Sequence, residues 1–188
     1  LKRVLQDFGI PYASVAQMKP WMVANLLLGV VLERSGYEGR NGIDVFLLGQ
    51  AEAQHKPVRE LESADYQLSL FDGMPEKEQE NYLAENLAEL SSGKLMEKTQ
   101  ALTKAWRNAD SAAFATLSQE ELDEKTTSAD FMRRVMIDRR NPEMAQKIEA
   151  ALQQKGTIFV GVGMLHLVGD GSMPELLRKR GYAVEKLY

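Results

Sequence analysis

The sequence predicts an α/β fold: a partial, parallel-rich sheet with a crossover helix at the C-terminus and a large central helical insertion. Three observations lead there. Pro57-Val58-Arg59-Glu60-Leu61 alternates like a short strand, and Thr157-Ile158-Phe159-Val160-Gly161-Val162 is a β-rich run of the kind buried in parallel sheets. The chain from Thr157 to Leu187 then reads strand, loop, helix, strand within about thirty residues, the length of a right-handed crossover unit. Between these regions, residues 64–155 show only helical periodicity. The chain is therefore read as one domain with three zones, 1–63, 64–155 and 156–188.

Each element has its own signal. Val4, Leu5 and Phe8 share one helical stripe at the start of the chain. Pro20 suits the first turn of a helix, where its missing N–H costs nothing, and Gly36 with Gly39 breaks that helix after Arg34. A helix follows Arg40-Asn41-Gly42, with Ile43, Phe46, Leu47 and Ala51 on one side, and ends at His55-Lys56. Leu83, Leu87 and Leu90 fall at i, i+4, i+7; after a Ser91-Ser92-Gly93 break, Leu95, Leu102 and Trp106 share another stripe. The glutamates at 76, 78, 80, 85 and 89 read as a solvated helix face. Residues 131–138 and 142–154 read as two helices joined at Arg139-Arg140-Asn141, with Pro142 at the boundary. Ser172 stands three residues before Glu175, a capping-box spacing, and Gly181 is the stop of the helix it opens.

Composition narrows the function. The 188 residues carry 23 Lys+Arg against 27 Asp+Glu, a net charge of −4 that gives no pull toward nucleic acid or an anionic membrane. With no Cys, disulfides, thiolate metal sites and cysteine nucleophiles are excluded. The longest apolar stretch, Trp21 to Leu32, falls short of the ~20 residues of a membrane span. Two histidines are too few for a His-Glu-x-x-His helix, and no Gly-x-Ser-x-Gly elbow, Walker loop or dinucleotide fingerprint is present.

Ligands of open parallel sheets collect beyond the carboxyl ends of the strands. Glu62 leaves the first predicted strand and His166 lies just past the second, so if both strands run the same way in one sheet a carboxylate and an imidazole converge on one rim. Gly161 and Gly163 leave room for close backbone approach or a tight turn, so that the following segment can aim His166 inward. Such a pair is either a partial ligand set for Zn, Mn or Co or a general acid/base pair. The structural alternatives are a hydrogen-bonded core histidine, a Glu62 that caps the next helix, and an Arg139-Arg140 pair that ends a helix in solvent. A guanidinium at that place can equally clamp a carboxylate or orient Glu62. His55, at a helix end, is read as a surface or capping residue and left out of the site.

Gly42-Ile43-Asp44, Lys56-Pro57-Val58, Leu61-Glu62-Ser63, Gln67-Leu68 and Leu70-Phe71 occur in the order of a known family. So do Arg140-Asn141 before Met144-Ala145, Val160-Gly161-Val162-Gly163-Met164-Leu165-His166, Leu176-Leu177 and Gly181-Tyr182. Over most of its length the chain resembles the TraB/GumN family, which is similar to the Tiki proteins, regarded as metal-dependent proteases. The resemblance implies that Gly163 and His166 are the family's second Gly-x-x-His motif, with His166 a metal ligand. It implies that Glu62 and Arg140 belong to the catalytic centre, with Asn141 and Asp44 in support. A first Gly-x-x-His motif has no match here, since Glu52 stands where the glycine before His55 belongs. With Leu1 opening the chain inside a helical stripe, the expectation is a C-terminal portion of a family domain, catalytically silent alone.

The resemblance thus implies a metal-dependent, peptidase-like hydrolase with a divalent metal (Mn, Co or Zn) in the full-length protein, no cofactor assigned to this fragment alone, and a peptide or protein substrate. It also implies a periplasmic or cell-envelope location. A sheet missing strand partners exposes an edge, and homodimerisation through that edge is expected. The alternative is a non-catalytic protein that binds a peptide or sequesters a pheromone. In that reading the central helices form a groove lined by Met74, Met96, Met132 and Met136, residues that otherwise belong to the core.

Overall fold

The computed structural model describes residues 1–187 and overturns the predicted fold class: it is 68% helical, with no strand among the described residues. Eleven α-helices follow in order: α1 (Lys2–Asp7), α2 (Tyr12–Val15), α3 (Pro20–Arg34), α4 (Ile43–Ala53), α5 (Ala64–Asp72), α6 (Glu76–Ser92), α7 (Lys94–Arg107), α8 (Ser111–Leu122), α9 (Thr127–Phe131), α10 (Arg140–Leu152) and α11 (Met173–Lys179). Short 3₁₀ turns lie at Gly39–Asn41 and Met164–His166, and a π-helix spans Met132–Arg139.

The three expected strands fail for one reason. A strand satisfies its backbone N–H and C=O groups only on a neighbouring strand. Residues 58–61, 157–162 and 182–187 are irregular and none pairs with another. The apolar residues read as strand positions have a different role. Val160, Val162 and Leu61 pack on a core of Met144, Ile148 and Met173 supplied by α10 and α11, while Phe159 is 79% exposed. Any extended chain that lies across an apolar helix face shows period two, with or without a sheet. The carbonyl of Val184 accepts from the Arg178 guanidinium at 3.1 Å, a side chain in place of a strand. Neither the parallel crossover unit nor a sheet edge for dimerisation therefore exists among the described residues.

The helical signals fare better. Gly36 (φ +88°), Gly93 (φ +81°) and Gly181 (φ +92°) end α3, α6 and α11 in the left-handed region that glycine enters without penalty. At Gly181 the ending is a Schellman motif, with Gly181 N–H on Arg178 O at 2.9 Å and Tyr182 N–H on Leu177 O at 3.1 Å. The predicted break at residues 139–141 is absent: α9, the π-helix and α10 run on without interruption, and Pro142 is accommodated within the first turn of α10. The capping box is also modified. Ser172 precedes α11 without a side-chain cap bond, and the Glu175 carboxylate accepts instead from Gly171 N–H at 2.6 Å.

The chain forms two compact units, one of Leu1–Arg59 with Leu68–Glu97, the other of Glu60–Gln67 with Lys98 onward. In the first, α3 packs along α6. Leu5, Val15, Val23 and Leu27 form its core, flanked by Leu83, Leu87 and Leu90. Trp21 stacks on Phe71 at 5.1 Å between ring centres and donates to Asp72 at 2.9 Å. Met74 is buried as well, 4% exposed. In the second unit α10 packs on α11 and continues from the π-helix. No helix among the described residues is long and apolar enough to cross a membrane.

Candidate functional site

The second unit holds a polar cluster built by three segments. Residues 60–67 supply the first. Ser63 accepts from Tyr66 N–H at 3.1 Å and so caps α5 itself. That releases Glu62 for a different partner. Its side chain is only 3% exposed, and both oxygens are taken by Arg140: Nε donates to Oε1 at 3.1 Å and to Oε2 at 3.0 Å, and Nη2 donates to Oε2 at 2.7 Å. Gln67 adds a bond to Oε2 at 3.3 Å. A planar guanidinium fork suits a carboxylate in this way, where a lysine would offer only a point charge.

The start of α10 supplies the second segment. Arg140 and Asn141 are consecutive yet both buried, 8% and 0% exposed. The π-helix before them changes the residue register at their junction, a feature often found beside functional groups. The face of α10 beyond them ties down the 60–67 segment. Glu143 accepts from the Tyr66 hydroxyl at 2.5 Å, Lys147 donates to Leu61 O, and the Arg139 guanidinium lies 5.9 Å from the Tyr66 ring centre. Sequence reasoning missed Tyr66, Gln67, Glu143 and Lys147. The available signal was the spacing i, i+3, i+7 of Arg140, Glu143 and Lys147, which places three charges on one helix face.

The third segment is Gly-x-x-His itself. It forms a single 3₁₀ turn in which His166 N–H donates to Gly163 O at 3.0 Å, so the three-residue spacing is the spacing of the turn. Gly163 sits at φ −59°, ψ 144°, a conformation open to any residue; a Cβ there would meet His166 Cδ2 at an ordinary 3.8 Å. The expected tight turn thus forms and His166 is buried, but the backbone of Gly163 does not itself require a glycine. The His166 ring is 8% exposed, with Nδ1 2.6 Å from Asn141 Oδ1, and Asn141 Nδ2 donates to Gly171 O at 2.9 Å.

Glu62, Arg140, Asn141, Gly163 and His166 thus share one unit. Asp44 belongs to the other, exposed in the first turn of α4, where a carboxylate favours the helix dipole. His55 ends α4 in the left-handed region at φ +52°, its N–H on Glu52 O at 3.0 Å, the place of a helix terminator.

Electrostatics sort the charges. Burial alone pushes the Glu62 carboxyl up, but the hydrogen bonds and charge of Arg140, with Gln67 and His166, outweigh it and hold its pKa below the ordinary value. His166 moves the other way from a charged partner. Burial, then the positive charge of Arg140, lowers its pKa from 6.5 to about 4 against a smaller opposing effect of Glu62. At neutral pH the site therefore holds a neutral imidazole, a carboxylate and a guanidinium.

One prediction follows from these shifts. The unfolded chain protonates His166 near pH 6.5 and the folded chain only near pH 4, so stability is lost as the pH falls through that interval. Glu62 adds a further loss at lower pH, since its folded carboxyl resists protonation. Urea unfolding at pH 7 and pH 4.5 should show a drop of roughly 2–3 kcal/mol, from about 1.4 kcal/mol per pKa unit. The drop should shrink in His166→Gln; an equal drop in that variant would show that another group titrates.

A metal is a separate matter. A catalytic zinc takes three protein ligands. Among the described residues no group of three His, Asp or Glu side chains is placed to hold an ion, and Glu62 has both oxygens on Arg140. The described residues do not by themselves fit a metal centre.

Comparison with known proteins gives the cluster a context. The chain is 28% identical over 178 residues to the uncharacterized protein YbaP of Escherichia coli strain K12, covering 95% of this chain and 63% of that protein, with the same figures for YbaP of Shigella flexneri. The chain thus spans less than two thirds of the length of these bacterial relatives. A stretch of 57 residues is 37% identical to the metalloprotease TIKI1 of Danio rerio, covering 29% of this chain and 12% of that protein. No solved structure matches. A family model described as TraB/PrgY/gumN matches residues 1–186, and with that match over nearly its whole length the chain belongs to the TraB/PrgY/gumN family.

Proposed function

We propose that the chain is part of a peptidase-like hydrolase that depends on a divalent metal (Mn, Co or Zn), acts on a peptide or protein in the periplasm or cell envelope, and is silent as this chain alone. The observation that carries the reading is His166: a buried, neutral imidazole at the end of Gly-x-x-His, beside an ionised carboxylate held by an arginine. A neutral ring is the form in which histidine binds metals or accepts protons. Partial similarity to a metalloprotease supports the same direction.

The roles of the chain's own residues follow from their contacts. Arg140 keeps Glu62 ionised and fixed. Glu62 in turn places the guanidinium beside His166, where its charge helps keep the ring neutral. Among the described residues His166 is the donor proposed to hold the ion, and in the full-length protein other donors would complete the set.

The experiment is a peptide-cleavage assay on the full-length protein, with metal content measured in parallel. Cleavage that stops on chelation, returns with Mn²⁺, Co²⁺ or Zn²⁺, and is lost with bound metal in His166→Ala is the expected result. Cleavage indifferent to chelator and to His166→Ala would overturn it.

A second reading, non-catalytic peptide binding, is favoured by the half-buried Met132 and Met136 on the π-helix, which form adaptable apolar surface. Peptide affinity unchanged by chelator, with no cleavage under any metal, would select it.

A further inference from the structure

We propose that Asn141 is a positioning residue: it fixes the tautomer of His166, placing the ring proton on Nδ1 and leaving Nε2 as the nitrogen with a free lone pair. The two ends of the Asn141 amide have opposite character. The Gly171 carbonyl has no hydrogen to donate and lies 2.9 Å from one end, so that end is the NH₂ group. The other end is then the oxygen, which carries no hydrogen either and stands 2.6 Å from Nδ1. Two lone pairs at that distance repel, so the hydrogen between them belongs to the ring, and Nδ1–H donates to Asn141 Oδ1. A neutral imidazole with its proton on Nδ1 has none on Nε2.

The surroundings hold this arrangement in place. Asn141 is 0% exposed and His166 8%, so water has little access to replace either bond. The Gly171 carbonyl is fixed from its own side: Gly171 N–H donates to Glu175 at 2.6 Å, and the residue occupies the left-handed region at φ +69°. At the other edge of the ring, a Cβ built on Gly163 would stand 3.8 Å from Cδ2, the carbon bonded to Nε2. Asn141 and the loop before α11 thus act together on one ring, the amide occupying Nδ1 and the Gly171 carbonyl fixing the amide. The tautomer stands on this geometry alone, and the use of Nε2 toward an ion rests on the hydrolase reading above.

The test is ¹⁵N NMR of the chain with labelled histidine at pH 7, with His55→Gln assigning the second ring. The expected spectrum shows a protonated Nδ1 and a bare Nε2 for His166. It should also show a scalar coupling from Nδ1 across the hydrogen bond to the Asn141 side-chain carbonyl carbon. Asn141→Asp keeps an acceptor at the same place and should keep the Nδ1 proton, whereas Asn141→Leu should lose that signal in favour of a mixture with protonated Nε2. A wild-type ring protonated at Nε2, or no coupling to Asn141, overturns the proposal even if the leucine variant does not fold. An Asn141→Leu ring that keeps its Nδ1 proton overturns it too. Addition of Zn²⁺ separates the two ideas. A bare Nε2 that does not shift with zinc leaves the role of Asn141 supported and counts against His166 as a metal ligand in this chain.

Discussion

Arg140→Met is expected to destabilise the unit that holds it by about 3–5 kcal/mol at pH 7, the range for a buried ion pair that loses one partner. The reason is the carboxylate left behind. Glu62, 3% exposed, would keep only Gln67 as a hydrogen-bond donor in place of the guanidinium fork. Burial, which already opposes its charge, would then push its pKa up. Two further measurements identify this cause. The Arg140→Met penalty should shrink at pH 4.5, where Glu62 can accept a proton. The double variant Glu62→Gln, Arg140→Met should recover part of the loss, because a neutral amide is less costly to bury than a lone charge. Urea unfolding checks all three; a single-variant loss under about 1 kcal/mol would place the pair among weak surface bridges.

Leu27→Ala is the second large effect, about 3 kcal/mol within the usual 2–5 kcal/mol for a buried leucine. Leu27 is 2% exposed, in a cluster with Leu5, Val15 and Val23. Leu83, Leu87 and Leu90 of α6 pack against that cluster. Deleting three carbons removes their transfer free energy and leaves a cavity that two long helices cannot easily close. Leu26, one position earlier and 37% exposed, supplies the control, and Leu26→Ala should cost under about 1 kcal/mol. Equal losses at the two positions would mean that the face assignment of α3 is wrong.

The candidate site divides along similar lines. His166, Glu62, Arg140 and Asn141 were nominated from the sequence, largely through the order of short motifs shared with a family. The structure brings all four into one cluster, and Arg140 takes the clamping geometry that its chemistry allowed. The bonds that connect them were not legible. Glu62 reaches Arg140 across 78 positions and Asn141 reaches His166 across 25. Tyr66 and Glu143, 77 positions apart, joined the cluster with no local signal beyond charge spacing on α10.

By itself the sequence determined several helix ends, though not the continuous run through residues 139–141, and what chemistry is excluded. Gly36, Gly93, Gly181 and Pro20 act within one turn of chain, and a stripe such as Leu83, Leu87, Leu90 is set by the 3.6-residue period alone. Only the tertiary structure decided the fate of the extended segments. Whether 157–162 becomes a strand depends on a backbone partner far away in sequence, and without one its alternating side chains settle on α10 and α11 instead. Burial likewise belongs to the fold: the side chain of Glu62 and the ring of His166 take their charge states from the low-dielectric surroundings and the guanidinium that packing brings to them.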